Sequence, residues 1–405
     1  MANTNNNKSL NVPNLRFPEF TGEWKAERLN DIAILTKGAG ISKDQLSESG
    51  EPCILYGELY TKYKSEIIED VISKTNIPTD KLIKSKANDV LIPCSGETAV
   101  DIATARCVLS DNVLLGGDLN IIRLKHHDGS FMSYQLNGKR KYDIAKVAQG
   151  VSVVHLYGEN LKGIVTYNPQ IEEQKKIVGL LSLLDERIAT QNKIIEKLQS
   201  LIKGLPHKAA ETGLINGSWE KAPLSTVLVE RKELNAALHT VHSVSVSEGV
   251  INQIDYLGRS FAAKDTSNYH VARKGDIIYT KSPTGDFPFG IVKQSYIDKP
   301  VAISPLYGVY SPISFELGVY LHNYFLSAIS TINYLYPLVQ KGAKNTINIS
   351  NQRFLENRIP LPTNLADIHN LAKALTAIQR KLNIEQRTLA SLSKQKQYLL
   401  QQMFI

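Results

Sequence analysis

The segment IVGLLSLLDERIATQNKIIEKLQSLIKGL, residues 177–205, places apolar side chains at alternating steps of four and three residues. The segment LAKALTAIQRKLNIEQRTLASLSKQKQYL, residues 371–399, repeats this pattern 194 residues later. Such steps average 3.5 residues, the period that keeps one seam of a helix against a partner helix. We therefore predict a tandem duplication, in which each half is a globular block followed by one long helix. The predicted seam residues are Ile177, Leu181, Leu184, Ile188, Gln191, Ile195 and Leu198 in the first helix and Leu371, Leu375, Ile378, Leu382, Glu385, Leu389 and Leu392 in the second.

The two long helices are predicted to pair with each other as an antiparallel coiled coil. Two apolar positions per heptad are too few for the core of a globular domain and suit a two-helix seam. Gln191 and Glu385 are the midpoints of residues 177–205 and 371–399, so an antiparallel pair centred on these segments would place them in one layer. A buried polar layer can fix the register of a coiled coil at a cost in stability. The alternative is that the two polar residues are tolerated independently.

The blocks that precede the helices are predicted to consist mostly of β-strands, because Val, Ile, Tyr and Thr alternate between turn residues. The blocks open alike, at Trp24-x4-Leu29 and at Trp219-x4-Leu224, 195 residues apart. The predicted fold class is α+β, with two β-rich domains in tandem, each followed by a long helix. The predicted boundaries are a disordered tail at 1–13, a first domain at 14–166, a helix and linker at 167–214, a second domain at 215–358 and a second helix at 359–405.

Composition and charge limit the class of protein without choosing a partner. The chain has 405 residues, of which 42% are hydrophobic and 21% charged, as in soluble globular proteins. It has no apolar run of about 18 residues, and its first dozen residues lack the apolar core of a signal peptide, so we expect a cytoplasmic location and no membrane span. The net charge of +8 permits a polyanionic partner. Residues 14–166 hold 19 basic and 20 acidic side chains, so any nucleic-acid surface there must come from local clustering.

The sequence offers no convincing catalytic or metal site. An adenine methyltransferase needs an (Asn/Asp)-Pro-Pro-(Tyr/Phe) loop, and Asn168-Pro169-Gln170-Ile171 matches only its first half. Glycine-rich nucleotide-binding loops are missing from the sequence. His239-x-x-His242 lacks the i,i+4 spacing of a helical zinc pair, and the three cysteines have no metal or redox spacing. We therefore expect no catalytic residue, no metal and no cofactor in this chain.

Several phrases, in their order along the chain, resemble the DNA-specificity subunits of type I restriction-modification systems. They include the opening Val12-Pro13-Asn14-Leu15-Arg16-Phe17-Pro18, the helix entry Glu172-Glu173-Gln174-Lys175-Lys176-Ile177 and the closing Leu400-Gln401-Gln402-Met403-Phe404. The resemblance covers essentially the whole chain. The second helix departs from the pattern, because Ala366-Asp367-Ile368 stands where the first helix has Glu172-Glu173-Gln174. This departure puts in doubt that both helices dock a partner through identical contacts.

The resemblance implies a non-catalytic subunit that recognises double-stranded DNA. Each block would be a target-recognition domain for one half of a split sequence, and the helices would set the gap between the halves. Two modification subunits would dock on the helices and supply S-adenosylmethionine and adenine methylation, and restriction subunits with translocase and nuclease activity would join them. A self-contained DNA-modifying enzyme is disfavoured by the missing motifs. The main alternative is a coiled-coil scaffold whose end domains bind proteins.

Candidate DNA contacts combine aromatic, basic and short polar side chains, which can stack on bases, neutralise phosphates and bond to base edges. Tyr56–Lys64 has this mixture, although it could be a tyrosine-rich edge strand. The loops at 95–98 and 280–284 hold matching places in the repeat but could be ordinary turns, and two basic clusters could be merely solvated. The predicted contacts are Tyr56, Glu58, Tyr60, Lys62, Tyr63, Lys64, Ser95, Glu97, Thr98, Lys139, Arg140, Lys141, Thr280, Lys281, Ser282, Thr284, Lys341, Lys344 and Asn345.

Overall fold

The computed structural model describes residues 10–341 and 347–405, which form two compact units. The first unit runs to Asn192 and includes Thr388–Ile405, and the second is Lys193–Arg387. The first β-rich domain has fourteen strands among the described residues: β1 (Lys25–Arg28), β2 (Ala33–Lys37), β3 (Leu46–Ser47), β4 (Glu51–Ile54), β5 (Ile67–Ile68), β6 (Ser73–Thr75), β7 (Ile83–Lys84), β8 (Asp89–Pro93), β9 (Ser95–Gly96), β10 (Arg106–Val108), β11 (Leu114–Leu115), β12 (Leu119–Leu124), β13 (Val154–His155) and β14 (Val165–Asn168). Its helices are α1 (Leu29–Ile32), α2 (Glu58–Thr61), α3 (Ala99–Ile102), α4 (Gly129–Asn137), α5 (Lys141–Lys146) and α6 (Gly158–Lys162).

The long helix α7 (Ile171–Asn216) leads into the second domain, and the long helix α12 (Leu365–Gln402) follows it. The described strands of this domain are β15 (Trp219–Pro223), β16 (Leu228–Glu230), β17 (His242–Ser245), β18 (Gly249–Asn252), β19 (His270–Ala272), β20 (Ile277–Tyr279), β21 (Val292–Gln294), β22 (Val301–Ile303), β23 (Gly308–Pro312), β24 (Gln340–Lys341), β25 (Ile347–Asn348) and β26 (Arg358–Pro362). The shorter helices are α8 (Gln253–Leu257), α9 (Phe315–Tyr324), α10 (Ala328–Leu335) and α11 (Asn351–Glu356).

The central sheets of the two domains have the same connectivity. The strand order is β2-β12-β8-β10 in the first domain and β16-β23-β20-β21 in the second, and every neighbouring pair is antiparallel. In both domains the opening strand pairs antiparallel with the strand that leads into the long helix, β1 with β14 and β15 with β26. Because neither order follows the sequence, its repetition supports the tandem duplication. The first domain adds β5 to this sheet and has a second sheet of order β3-β6-β4-β11-β7.

A buried aspartate stands at the same place in both sheets. The carboxylate of Asp89, at the start of β8, accepts bonds from Arg123 Nε and Nη2 at 2.8 and 2.7 Å. The carboxylate of Asp276, just before β20, accepts from Arg231 Nε and Nη2 at 2.6 and 3.0 Å. Buried carboxylates need such partners to offset the loss of hydration. The arginines come from different places, β12 in one domain and the end of β16 in the other, so the acid is repeated and its partner is not.

Each unit contains one end of each long helix, and the contacts have the antiparallel order. In the first unit, Ile177 and Leu181 of α7 belong to one hydrophobic cluster with Leu400 and Met403 of α12. In the second unit, the other end of α7, from Leu205 to Leu214, belongs to a cluster that contains Ile368, Leu371 and Leu375 of α12. The start of each helix thus packs with the end of the other, and the predicted antiparallel coiled coil is confirmed.

The predicted seam faces inward along both helices. Its fourteen residues are all buried or half-buried. Gln191 and Glu385 are both among the buried polar residues, and Lys381 forms an ion pair with Glu385 from one turn earlier. The shared polar layer of these two residues stays a prediction.

The entry of α7 explains why the second helix departs from the first. Glu173 is buried and accepts from Arg16 Nε and Nη2, both at 2.7 Å, and from Trp24 Nε1 at 3.3 Å. The next residue, Gln174, is also buried, and its side chain donates to Pro169 O at 2.8 Å. The second helix has Ile368 at the position of Gln174, and Ile368 lies in the hydrophobic cluster of its own unit. A polar anchor in one copy is therefore an apolar anchor in the other.

Two predicted boundaries need correction. The predicted tail at 1–13 is too long, because Asn11 O accepts from Trp24 N at 2.7 Å and Pro13 is buried, while residues 1–9 lie outside the described residues. The first helix, predicted within 167–214, continues to Asn216 and contains Pro206 in its interior. Proline leaves one carbonyl of the preceding turn without its usual donor, and the surrounding helix continues regardless.

Candidate nucleic-acid interface

The segment Tyr56–Lys64 folds around the buried carboxylate of Glu58. Glu58 accepts from Leu55 N at 2.9 Å, from Lys62 Nζ at 2.6 Å and from Ser73 Oγ at 2.5 Å. These bonds hold the turn in shape and occupy both carboxylate oxygens. The prediction that Glu58 bonds to a base therefore needs correction, because its own backbone and neighbouring strand take its oxygens first. Part of the hydrogen-bonding capacity of Lys62 is used in the same contacts.

A second buried group supports this segment from below. Arg106 Nε donates to Leu59 O at 3.0 Å, and Arg106 Nη2 donates to Tyr63 O at 3.1 Å. Tyr63 is itself buried, its hydroxyl accepts from Ile72 N at 3.2 Å, and burial raises its pKa to about 12. Tyr63 is thus a core residue and cannot stack on a base from this position. Lys64 is exposed.

Tyr60 links the two predicted segments of the first domain. Partial burial and the neighbouring Tyr56, Glu97 and Asp101 raise the pKa of its hydroxyl. Tyr56 and Tyr60 are half-buried, and Glu97 is exposed. The charges of Glu97 and Asp101 thus act on the Tyr60 hydroxyl, and a shared contact of these side chains with DNA stays a prediction. A neutral phenol at physiological pH can both donate and accept a hydrogen bond.

The predicted loop Ser95–Thr98 is divided between a ribbon and a helix cap. β9 pairs with β13, with Ser95 opposite His155. A side chain at Gly96 would place its Cβ 2.5 Å from Ile102 Cγ2, so the ribbon requires glycine there. Thr98 caps α3, because its Oγ1 accepts from Asp101 N at 3.1 Å. Helix caps of this kind are structural, so the predicted role of Thr98 in DNA contact is not what its geometry favours.

The β9–β13 ribbon presents a surface that the sequence analysis missed. In the loop that leads into β13, Val151 is 95% exposed and Val153 is 55% exposed. The ring of His155, in β13, stacks on the ring of Tyr157, with centroids 6.1 Å apart, and both side chains are exposed. The sequence signal was the group of three valines, Val151, Val153 and Val154, that directly follows Gly150. Exposed apolar and aromatic side chains on one ribbon are suited to contact bases.

The basic cluster Lys139–Lys141 is mostly committed to the fold. Arg140 Nη2 donates to the carbonyl of Ile405 at 3.0 Å, and its guanidinium lies 5.4 Å from the centre of the Tyr167 ring. Lys141 is half-buried, and burial together with Arg106 lowers its pKa. The carbonyl of Ile405 thus occupies one N–H group of Arg140, and the predicted phosphate contact of Arg140 stays a prediction. Lys139 is exposed.

The second domain presents a tight turn after β20. Thr280 is buried, and its Oγ1 accepts from Ile291 N at 3.1 Å, which removes it from the predicted surface. Lys281 is half-buried with a left-handed φ of 57°, and burial lowers its pKa. Ser282 is half-buried, and Thr284 is exposed on a turn closed by two 3.0 Å backbone bonds with Phe287.

The other predicted contacts of the second domain are Lys341, Lys344 and Asn345. Lys341 lies in β24, and Lys344 and Asn345 lie outside the described residues.

The part of the chain that the structure describes has neither a metal site nor a membrane-spanning helix. No group of three or more His, Cys, Asp and Glu side chains is placed to hold a metal ion. No described helix is both long and apolar enough to span a bilayer. The three cysteines are buried, and burial raises the pKa of each thiol, as in unreactive cysteines of a core.

Comparison with known proteins agrees with this architecture. Residues 21–200 match the family model of the type I restriction modification DNA specificity domain. The type I restriction enzyme MjaVIII specificity subunit of Methanocaldococcus jannaschii is 25% identical over 421 residues, which cover 95% of this chain and 92% of the relative.

Two solved structures have the same fold. The S subunit of a type I restriction-modification system from M. genitalium superposes with a TM-score of 0.61 at 16% identity, over 97% of this chain and 99% of the other. A chain from a study of complex assembly and conformational transition of the type I system superposes with a TM-score of 0.50 at 15% identity, over 94% of this chain and 97% of the other. The chain is therefore similar to the DNA-specificity subunits of type I restriction-modification systems, and its residues 21–200 match their specificity domain.

Proposed function

We propose that this chain recognises a bipartite double-stranded DNA sequence, with one half-site for each β-rich domain. The observation that carries the proposal is the repetition of one central sheet with different surface loops. The first domain presents the Tyr56–Tyr60 segment and the ribbon that ends at Tyr157, whereas the second presents the turn at Thr284. A common framework with unlike loops is suited to read two different sequences. In this proposal the chain itself is not catalytic.

We further propose that the paired helices set the gap between the half-sites. α7 has 46 residues and α12 has 38, so they are about 70 and 57 Å long. A coiled coil with a mostly apolar seam resists bending, and its length is set by its number of heptads. The proposed gap is therefore a property of the helices and not of the recognition loops.

Apolar side chains on the outer surface of α7 support docking of modification subunits. In the first unit, Leu180 and Leu183 are exposed, the latter by 60%. In the second unit, Ile194 and Leu201 are exposed, the latter by 52%. These residues keep the heptad spacing but lie outside the seam, so a helix of a partner could pack against them. We propose that two modification subunits bind here, bring the S-adenosylmethionine and the methylation chemistry, and are joined by restriction subunits.

Leu183→Glu and Leu201→Glu are expected to weaken association with the modification subunit by tenfold or more each. A carboxylate in an apolar interface loses its hydration without gaining a partner. Because both side chains are exposed, the free chain should remain as stable as the wild type. Isothermal titration with the purified modification subunit measures the effect.

The matched control is Ile215→Glu on the same helix, where the side chain is 82% exposed and no binding loss is expected. Equal affinity of all three variants would place the docking surface elsewhere.

The proposed function is tested by selection from a random duplex library, with this chain co-expressed with a type I modification subunit. The expected result is a split consensus, made of two short unlike halves with a fixed gap, whose binding weakens steeply as salt rises. The alternative function, a scaffold whose end domains bind proteins, predicts no enrichment and little dependence on salt. That outcome, from a complex shown to be folded, would overturn the proposal.

A further inference from the structure

Helix α8 begins at the same distance from the opening tryptophan of its domain as helix α2 does in the first domain. α2 begins at Glu58 and α8 at Gln253, which are 195 residues apart, the same offset that separates Trp24 from Trp219. α2 follows closely on a strand, β4, and α8 directly on another, β18. DNA contacts are predicted from the sequence for α2 and its flanks, but none for α8. The residues that follow α8 hold the equivalent place in the second domain.

Gln253 plays the same organising part in its domain as Glu58 does in the first. Its Oε1 accepts from Phe261 N at 2.8 Å and from Ser260 Oγ at 3.2 Å. Its Nε2 donates to Ser243 Oγ of β17 at 3.3 Å. One amide side chain thus ties the loop after α8 to the strand hairpin. This loop is therefore held in a defined shape although most of its side chains are exposed.

The loop presents a guanidinium stacked on an aromatic ring. The Cζ atom of Arg259 lies 4.5 Å from the centre of the Phe261 ring. Phe261 is 59% exposed, and Arg259 is exposed as well. Over residues 10–341 and 347–405, no ion pair of Arg259 with a carboxylate is found, whereas Arg231 and Arg273 are both paired with acids. Stacking restrains the planar guanidinium while leaving its N–H donors available.

We propose that Arg259 is a specificity-determining residue that contacts a guanine in the half-site read by the second domain. A guanidinium can donate two parallel bonds to O6 and N7 of guanine in the major groove, a contact that no other base offers. Phe261 is the positioning residue, because it touches Arg259 and limits its rotamers. In the first domain Lys62, which directly follows α2, is held by Glu58. The inference rests on the proposed DNA-reading function.

The test compares Arg259→Ala with wild type in the complex with the modification subunit, by selection from a random duplex library. The variant is expected to lose the preference for guanine at one position of one half-site and to keep the other half and the gap. On the wild-type consensus duplex, its affinity should fall by about tenfold. Lys264→Ala, in the same loop, is the matched control and should lower affinity equally for all duplexes, as a phosphate contact does.

Two further measurements separate a base contact from a change in loop structure. Replacing that guanine with 7-deazaguanine removes the N7 acceptor, which should cost the wild type about tenfold in affinity and cost Arg259→Ala nothing. Phe261→Trp should keep the guanine preference, while Phe261→Ala should reduce it partly. An Arg259→Ala consensus identical to a split wild-type consensus would overturn the inference and leave the proposed function intact. A wild-type complex that enriches no split consensus would overturn both.

Discussion

Lys396→Ala is expected to lower the free energy of unfolding of the first unit by about 3–5 kcal/mol, because it leaves two buried carboxylates without their cation. Lys396 Nζ contacts Asp185 Oδ1 at 2.5 Å and forms a second ion pair with Glu66. The three side chains are only 12, 10 and 9% exposed, so water cannot replace the lost charge. This contact joins the end of α12 to the first domain and to the start of α7.

Tyr134 contacts both Asp185 and Lys396 and so belongs to the same buried cluster. Its hydroxyl donates to Asp185 Oδ2 at 2.8 Å, and its ring centre lies 5.6 Å from Lys396 Nζ. Burial and the adjacent Asp185 raise the pKa of Tyr134, so the hydroxyl keeps its proton and remains a donor. Removing Lys396 therefore leaves Asp185 with a neutral donor and Glu66 without its cation. The loss should be larger than that of a surface ion pair, which contributes about 1 kcal/mol or less.

Urea unfolding followed by tryptophan fluorescence measures this effect. Trp24 lies in the first unit, and Trp219→Phe removes the second reporter, so the signal comes from the unit that contains Lys396. Lys394→Ala, an exposed lysine of the same helix, is the matched control and should change stability by less than about 0.5 kcal/mol. Adding Glu66→Gln and Asp185→Asn to Lys396→Met should recover part of the loss, because the two carboxylates that lose Lys396 are then neutral. A Lys396→Ala protein as stable as the control would contradict the prediction.

Deleting one heptad from each long helix is expected to shorten the gap in the DNA target by about three base pairs. The deleted residues are Gln191–Lys197 and Glu385–Ser391. Seven residues correspond to about 10 Å of helix, and each base pair adds about 3.4 Å. Because seven residues fall only about 20° short of two full turns, the seam keeps facing its partner. If the shortened chain cannot support the new geometry, assembly with the modification subunits should fail.

Selection from a library with variable gaps measures this result. Deleting only Gln191–Lys197 is the control, since it leaves helices of unequal length and should impair folding. Unchanged affinity of the double deletion for the original spacing would refute the idea that the helices set the gap.

Some candidate site residues could be predicted because their signal is local. Lys64, Glu97 and Thr284 are exposed, as expected for polar side chains in loops. The ribbon surface at Val151 and the Arg259–Phe261 pair were missed because apolar side chains in a loop are, by sequence alone, as consistent with a core as with a contact surface. Only the pairing of β9 with β13 and the bonds of Gln253 place them outside.

Other candidates use much of their hydrogen-bonding capacity inside the fold. Glu58 is taken by its own turn and by Ser73, and Thr98 by the first turn of α3. Arg140 is taken by the carbonyl of Ile405, 265 residues away. A polar side chain has the same hydrogen-bond donors and acceptors whether it faces solvent or a distant backbone group. Its sequence neighbourhood therefore cannot separate a ligand contact from a structural one.

Periodicity was sufficient for the two long helices, their seam and the duplication, because a 3.5-residue apolar repeat acts over about thirty residues and has few other solutions. The paired openings at Trp24 and Trp219 mark the start of each block in the same local way. The partners of single polar residues were decided by tertiary structure. Lys396 occupies a seam position that the pattern reserves for an apolar side chain, and the acid that stabilises it there, Glu66, is 330 residues away. A hydrogen bond forms only within about 3 Å, and only the folded chain brings such distant residues to that distance.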